Sequence, residues 1–361
     1  MKQKFVILTL AGFLMFSCVS NKDSGGTNDI IIDSLTSKLF ISDSILIHPI
    51  AMNVTDKEIV LVNFNSADTL INVFGLDGKP ISSFLTKGNG PKEALWIPNI
   101  HYNSIDNSLY ASDINKQCIF HITDYLSKVP KIEVIIPRKS ESDSIILQGQ
   151  IVRLANGKFV ATNTTPEGML AEFDYSGTFI ETHIPFPDKS KIDERLADWA
   201  NADLYYPDLK VSPDGKFAVV TYDTSDMKIF ITVDENEIIY NIIEGSIPND
   251  IYLSTIDSNL MQGFATKKTK IYNQDLSLSD QYAYQLYIGI TKEEISETDF
   301  FKDTKHNGSN TVKVYDREGN HVKTIILDRW ASALAVSPDD KYLYTLTESS
   351  EEGYTVLRYE L

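Results

Sequence analysis

A unit of two strands joined by a tight turn recurs along this chain, and that recurrence limits what it can fold into more than any other feature. An apolar strand, a short Asp/Asn/Gly turn and a second strand rich in aromatic and β-branched residues occupy 50–63, 100–113, 152–163, 209–222 and 334–347. Two copies are nearly identical at the turn: Val211-Ser-Pro-Asp-Gly-Lys-Phe217 against Val336-Ser-Pro-Asp-Asp-Lys-Tyr342. A second hairpin follows, as in Val73-Phe-Gly-Leu-Asp-Gly-Lys-Pro-Ile81, Glu172-Phe-Asp-Tyr-Ser-Gly-Thr-Phe-Ile180 and Val314-Tyr-Asp-Arg-Glu-Gly-Asn-His-Val322. Its glycine stands where a tight hairpin turn needs positive φ.

Two hairpins make one four-stranded antiparallel sheet, and the spacing counts the sheets. The first hairpins begin near 50, 100, 152, 209 and 334, so the last interval holds one more, degenerate unit from Gln262 to Leu327. Its second strand is expected at Tyr282–Ile290 and its outer hairpin at Thr311–Leu327, with an insertion between them. Six four-stranded units give an all-β, six-bladed β-propeller. The chain stops after a third strand at Thr355–Leu361, while Leu39–Ile47 is an unassigned strand near the start. Pairing the two completes the sixth blade, closes the ring and removes an exposed edge. Seven blades and a many-stranded β-sandwich are the alternatives at this point.

Ahead of the repeats, Lys2 and Lys4 precede an apolar run from Phe5 to Phe16, then Ser17 and Cys18. A basic start, a short apolar stretch and a small residue are the layout of an export signal. The run is shorter than the roughly 20 residues a membrane-spanning helix needs. Leu14-Met-Phe-Ser-Cys18 resembles a lipobox, in which Cys18 is acylated after cleavage before it. The polar stretch that follows suits a flexible tether. The expected organisation is a signal peptide at 1–17, a tether at 18–37 and the propeller at 38–361, held to a membrane of the bacterial envelope by lipid on Cys18, facing the periplasm or the cell surface.

The formal charge of −17 argues against nucleic acid as a partner, because that binding depends on basic surface. Cys18 and Cys118 are the only cysteines. With lipid on the first, no disulfide forms within one chain, and Cys118 at the start of an apolar strand reads as a buried structural thiol.

Six such blades behind a lipobox resemble the TolB-like six-bladed β-propeller lipoproteins and their sister families of exported propellers. Lys87-Gly-Asn-Gly-Pro-Lys-Glu93 is similar to the Gly-x-Gly-Pro-x-Glu turn of those families, with Lys92 where a glycine is frequent. The resemblance implies a fold and an envelope location, in families largely without an assigned activity.

In such blades the first-to-second and third-to-fourth connections share one face, where nearly all the Asp-Gly turns of this chain fall. The other face takes the long connections 86–98, 185–207, 245–260 and 291–310. Long loops on a rigid scaffold are where binding resides. All three tryptophans fall in blade-to-blade connections. Trp96, Trp199, Tyr205, Tyr206, Arg329 and Trp330 are therefore the candidate ligand-binding residues, beside carboxylates such as Glu93 and Asp198, suited to stacking on a sugar or anchoring a protein. Leu196, Trp199 and Ala200 suggest a short helix within 191–202, and Thr291-Lys-Glu-Glu294 a capped helix start.

No Gly-x-Ser-x-Gly, His-Glu-x-x-His, Cys-x-x-Cys or phosphate-binding glycine loop is present, and none of the six histidines is paired at metal-ligand spacing. No catalytic residue, metal site or cofactor is assigned. The favoured expectation is a non-catalytic binding or scaffold module for a glycan, peptide or partner protein through the long-loop face. The alternative is a metal-dependent hydrolase or lyase working in the central channel, with Asn99, Asp208 and Asn201 as potential ligands and His48 and His101 near inner strands.

Overall fold

The computed structural model describes residues 31–42, 46–64, 69–137, 150–162, 167–234, 237–256 and 260–361. The signal peptide, Cys18 and the tether as far as residue 30 lie outside the described residues.

Two short strands come first, β1 (Ile31–Leu35) and β2 (Lys38–Ile41). Blade one follows as β3 (Pro49–Val54), β4 (Glu58–Asn63), β5 (Ile71–Gly75) and β6 (Pro80–Phe84). Blade two is β7 (Asn99–Asn103), β8 (Ser108–Asp113), β9 (Cys118–Thr123) and β10 (Lys131–Ile135). Blade three is β11 (Ile151–Arg153), β12 (Phe159–Thr162), β13 (Leu170–Phe173) and β14 (Phe179–His183). The helix α1 (Asp198–Asp203) leads into blade four, β15 (Pro207–Val211), β16 (Phe217–Tyr222), β17 (Lys228–Asp234) and β18 (Glu237–Ile243).

A separate hairpin, β19 (Ile251–Thr255) with β20 (Met261–Ala265), precedes blade five. That blade is β21 (Lys270–Leu278), β22 (Ala283–Thr291), β23 (Ser309–Tyr315) and β24 (His321–Ala331), with α2 (Lys292–Glu297) and α3 (Asp299–Thr304) between its second and third strands. Blade six is β25 (Ala333–Val336), β26 (Tyr342–Ser349) and β27 (Gly353–Glu360), completed by β2. The count is six blades, not seven.

Hydrophobic packing explains why the sheets form a ring. The second strands β4, β8 and β16 are buried at every residue, because each is covered by a neighbouring blade on both faces. The buried apolar residues fall into six clusters, one per blade interface. Val60 and Val73 of blade one meet Leu109 and Phe120 of blade two; Leu61 and Phe74 meet Tyr344 and Val356 of blade six, so the cycle returns on itself.

The closing strand is where the sequence places it, though shorter. Lys38, Leu39 and Ile41 of β2 pair antiparallel with Arg358, Leu357 and Val356 of β27, with a bulge after Leu39. Ile41 is 2% exposed in the cluster between blades six and one. Preceding it, β1 runs parallel to β24 as a fifth strand of blade five, although it falls within 18–37, read from sequence as tether. Its Ile-Ile-Asp-Ser-Leu run has strand propensity that the polar residues before it mask in the sequence.

Blade five begins later than expected. Gln262 belongs to β20, whose register with β19 (Leu253 opposite Gly263) makes that hairpin an excursion rather than a blade strand. The inner strand starts at Lys270. Thr291 caps α2 as expected: its hydroxyl accepts from the Glu294 N–H, and the Glu294 carboxylate accepts from the Thr291 N–H at 2.8 Å.

Candidate functional site

The connections β6–β7, β14–β15, β18–β21 and β22–β23 are among the long ones, and they lie together on one face of the ring. The three tryptophans sit on this face in three different settings.

Trp330, at the end of β24, stacks on Phe300 of α3 with ring centroids 6.0 Å apart and planes at 21°. The pair lines a cavity of about 560 Å³ between blades five and six, walled by Asp299, Asp303, Asp328, Glu348, Glu351 and Glu352. Arg329 is in this cavity too, bound to Glu352 at 2.7 Å. His306 Nδ1 lies 2.6 Å from Glu348, Asp303 accepts from the Ser350 N–H at 3.0 Å, and Asp328 accepts from the Ser37 N–H at 3.1 Å. The cavity is aromatic at one wall and acidic around the rest.

Trp96, 39% exposed, lines a second cavity of about 550 Å³ on the same face, between blades one and two, with Asn63, Phe64, Leu70, Lys87, Leu95, Ile97 and Asn115. The loop carrying Trp96 is held from both sides. The Leu95 N–H donates to Asp113 at 2.6 Å, and Lys116 Nζ donates to the carbonyls of Gly90 and Glu93 at 2.6 and 2.7 Å. The Glu93 carboxylate accepts from the Gly90 N–H at 2.7 Å, closing its own turn rather than facing a ligand. Asn63 is 3% exposed, and neither atom of its side-chain amide has a hydrogen-bond partner.

Trp199, 43% exposed on α1, presents its ring outward while Ala200, Asn201 and Ala202 of the same helix are buried. The helix is shorter than 191–202, preceded by a 3-10 turn at Lys189–Lys191, and Lys189 holds Asp198 at 2.6 Å. Tyr205 is not part of the surface. It is 1% exposed, packed edge-on against Tyr222 at 5.7 Å, and burial pushes its hydroxyl pKa up. Tyr206, with φ of +45°, points the other way and is 51% exposed. Of the six candidates, Tyr205 is therefore a core residue, and the other five do not converge on one pocket.

In the central channel the structure joins residues from four blades. Lys210 Nζ of β15 lies 3.6 Å from Asp208, 3.5 Å from Asp275 of β21 and 3.3 Å from the Asn99 side-chain oxygen of β7. Asp275 also accepts from the Leu334 N–H of β25 at 2.8 Å, and Asn273 donates to Asp208 at 3.4 Å. Burial alone would lower the Lys210 pKa, but Asp208 and Asp275 outweigh it and the net shift is upward. Asp275 is raised, mainly by burial. Asp223, on the next turn, is pushed up to about 7 by burial, with the Asp208 charge adding to it.

Two of the potential metal ligands, Asn99 and Asp208, thus do meet in the channel, but around the ammonium of Lys210, which supplies the positive charge a cation would bring. Asn201 is elsewhere, donating to the Pro187 carbonyl at 3.1 Å. His101 is 2% exposed, pushed down to about 3 by burial, and accepts from the Arg153 N–H at 3.3 Å. His48 stacks on Tyr354 at 5.2 Å. Cys118 is buried, its thiol pushed up to about 11 by burial, which makes it unreactive.

Among the described residues, Glu172, Glu181 and His183 on the outer strands of blade three bring potential metal-ligating atoms within 4.8 Å of one another. Glu172 is already satisfied there, by Lys158 at 2.6 Å and His183 at 2.8 Å.

Sequence reasoning missed Lys210, Asp275 and Asp223, because strands at this spacing reveal their inward residues only once the register is known. It also missed Asn63, which ends a strand as unremarkably as the other repeats do.

No helix among the described residues is long and apolar enough to cross a membrane. No curated protein matches the chain. Among solved structures, a member of the duf4221 family from Bacteroides vulgatus aligns at TM-score 0.52 and 11% identity over 92% of this chain and 97% of that one. An exported protein from Bacteroides fragilis aligns at TM-score 0.47 and 12% identity, covering 91% and 98%. The gluconolactonase XC5397 from Xanthomonas campestris aligns at TM-score 0.46 and 11% identity, covering 87% of each. At these identities the likeness is one of fold. The TolB-like 6-blade propeller-like family matches residues 31–339, spanning five blades and two strands of the sixth, β25 and the closing strand β2, and the chain belongs to that family.

Proposed function

We propose that this chain is an exported, lipid-anchored binding or scaffold module of the bacterial envelope, without catalytic activity of its own, that takes a glycan, peptide or partner protein on the long-loop face. The observation that carries this reading is that two tryptophans on that face, Trp96 and Trp330, each line a cavity of pocket size, about 550 and 560 Å³. The lipobox-like Leu14–Cys18 supports export and anchoring. Binding is favoured over hydrolysis in the channel because the channel carboxylates are engaged with Lys210.

The test is an envelope pull-down with the parent and with a variant carrying Trp96→Ala, Trp199→Ala and Trp330→Ala together. Loss of captured material supports the face; capture at the parental level overturns it. For the anchor, Cys18→Ala should move the protein from the membrane fraction to the soluble one.

A further inference from the structure

We propose that the junction of blades four and five, at its long-loop end, binds a tetrahedral oxyanion group, a phosphate or a sulfate, between Lys228 and Lys313. The site is separate from both tryptophan cavities.

The first ground is the position of Lys228. The third strands of blades one, two and three begin with Ile71, Cys118 and Leu170, all buried. That of blade four begins with Lys228, which is buried as well, at 6% exposed. Its ammonium donates to the Asp226 carbonyl at 3.0 Å and lies 4.9 Å from the centroid of the Tyr315 ring. A carbonyl and a ring face ease the burial of a charge but do not neutralise it.

The second ground is the company it keeps. Across the junction, the Lys313 ammonium of β23 lies 3.3 Å from the centroid of the Tyr287 ring, and the Lys270 ammonium of β21 lies 5.3 Å from that of Tyr272. Burial, and then the Lys313 charge, push the Lys228 pKa down to about 8. Burial lowers Lys313 too, against the pull of Asp226 and with the Lys270 charge adding to it. His321 is lowered by burial and by Lys313, so this ring adds no charge near neutral pH.

The third ground is the missing counter-charge. Among the described residues, none of the three lysines forms an ion pair with a carboxylate. The Asp226 carboxylate is held by Ser246, whose N–H donates to it at 2.6 Å and whose hydroxyl donates at 2.9 Å. On a chain of net −17, cations gathered at a blade junction with no carboxylate bound to them suit negative charge from outside the chain. An ammonium has three donors, and Lys228 spends one on a carbonyl. Two such groups with donors to spare match the oxygens of one phosphate or sulfate.

Calorimetric titration of the full chain at fixed ionic strength uses inorganic phosphate, inorganic sulfate, glycerol 3-phosphate and glucose 6-sulfate as probes. The expected result is binding of at least one, weakened about tenfold in Lys228→Met and in Lys313→Met, since each removes a charge-assisted hydrogen bond. Tighter binding of the phosphate ester or of the sulfate ester, with that loss, supports the site and tells the two sources apart. No binding of any probe, or parental binding in either folded variant, overturns it. Lys313 is partly exposed, so Lys313→Met leaves the core intact and decides the matter even where Lys228→Met does not fold. The variant lacking all three tryptophans should bind the oxyanion at the parental level; loss of binding there would place the oxyanion elsewhere and overturn the assignment. If every probe fails while that variant still loses capture in the pull-down, this site falls and the broader reading stands.

Discussion

Lys210 of blade four and Asp275 of blade five hold each other across the channel, the ammonium nitrogen 3.5 Å from the carboxylate oxygen, with neither side chain more than 15% exposed. The contact joins inner strands that share no backbone hydrogen bond. It turns the channel floor into a buried ionic junction.

Breaking that junction is expected to be expensive. Lys210→Met leaves Asp208 and Asp275 facing each other without a cation, and removing one partner of a buried pair destabilises by about 3–5 kcal/mol. Thermal melts should show the loss in full at pH 8 and a smaller loss at pH 5, where the Asp275 carboxyl, already raised by burial, takes up a proton. An equal loss at both pH values would count against the ionic account.

Asp223 makes stability fall as pH rises. Its folded pKa is about 7, above the ordinary 3.8, so between those values the folded state holds a proton that the unfolded state releases. The stabilisation is complete below pH 4 and gone above pH 7. Asp223→Asn should therefore raise the unfolding free energy at pH 8, by an amount on the order of 2 kcal/mol, and change it little at pH 4.5. Urea titrations at the two pH values measure this directly.

His101 has the opposite sign. Burial holds its folded pKa near 3, below the ordinary 6.5, so the unfolded state takes up the proton first and stability falls as pH drops from about 6.5 towards 3. His101→Gln, which keeps an acceptor for the Arg153 N–H, should flatten that acid limb in the same titrations.

Two turn glycines separate backbone conformation from crowding. Gly215 has φ of +68°, and an added Cβ would lie 2.8 Å from the Ala155 nitrogen, itself hydrogen-bonded to the Gly215 carbonyl. Gly157, at φ of +84°, has nothing within 4 Å of that position. Gly157→Ala should lose about 1 kcal/mol, the conformational term alone. Gly215→Ala should lose about 2 kcal/mol or more, because blade four must also move away from blade three. Denaturant midpoints of the two variants give the comparison.

What was legible in the sequence follows from which interactions are local. Turn chemistry repeats residue by residue, so Pro213-Asp-Gly-Lys216 and its counterpart at 338–341 revealed the hairpins, and their spacing revealed the ring. Asp340 even takes a φ of +56° where Gly215 has +68°. Blade five was only partly legible, because bulges in β21 and two inserted helices break its spacing. The channel cluster was legible only in Asn99 and Asp208: Lys210 and Asp275 are distant from Asn99 in sequence and meet it only when three inner strands converge. Tyr205 and Tyr206 look alike in the sequence, yet a single positive φ puts one in the core and the other in solvent.

The first described residues have a mechanical consequence. Tension applied to the chain ahead of Ile31, along the strand axis, meets β1 lying parallel to β24, with five residue pairs from Ile31–Lys323 to Leu35–Leu327 loaded in shear. Shear strains all five pairs together, whereas peeling would open them one after another. The strand that closes the ring, β2, lies behind this clamp, and so the ring is shielded from a pull on its own leading end.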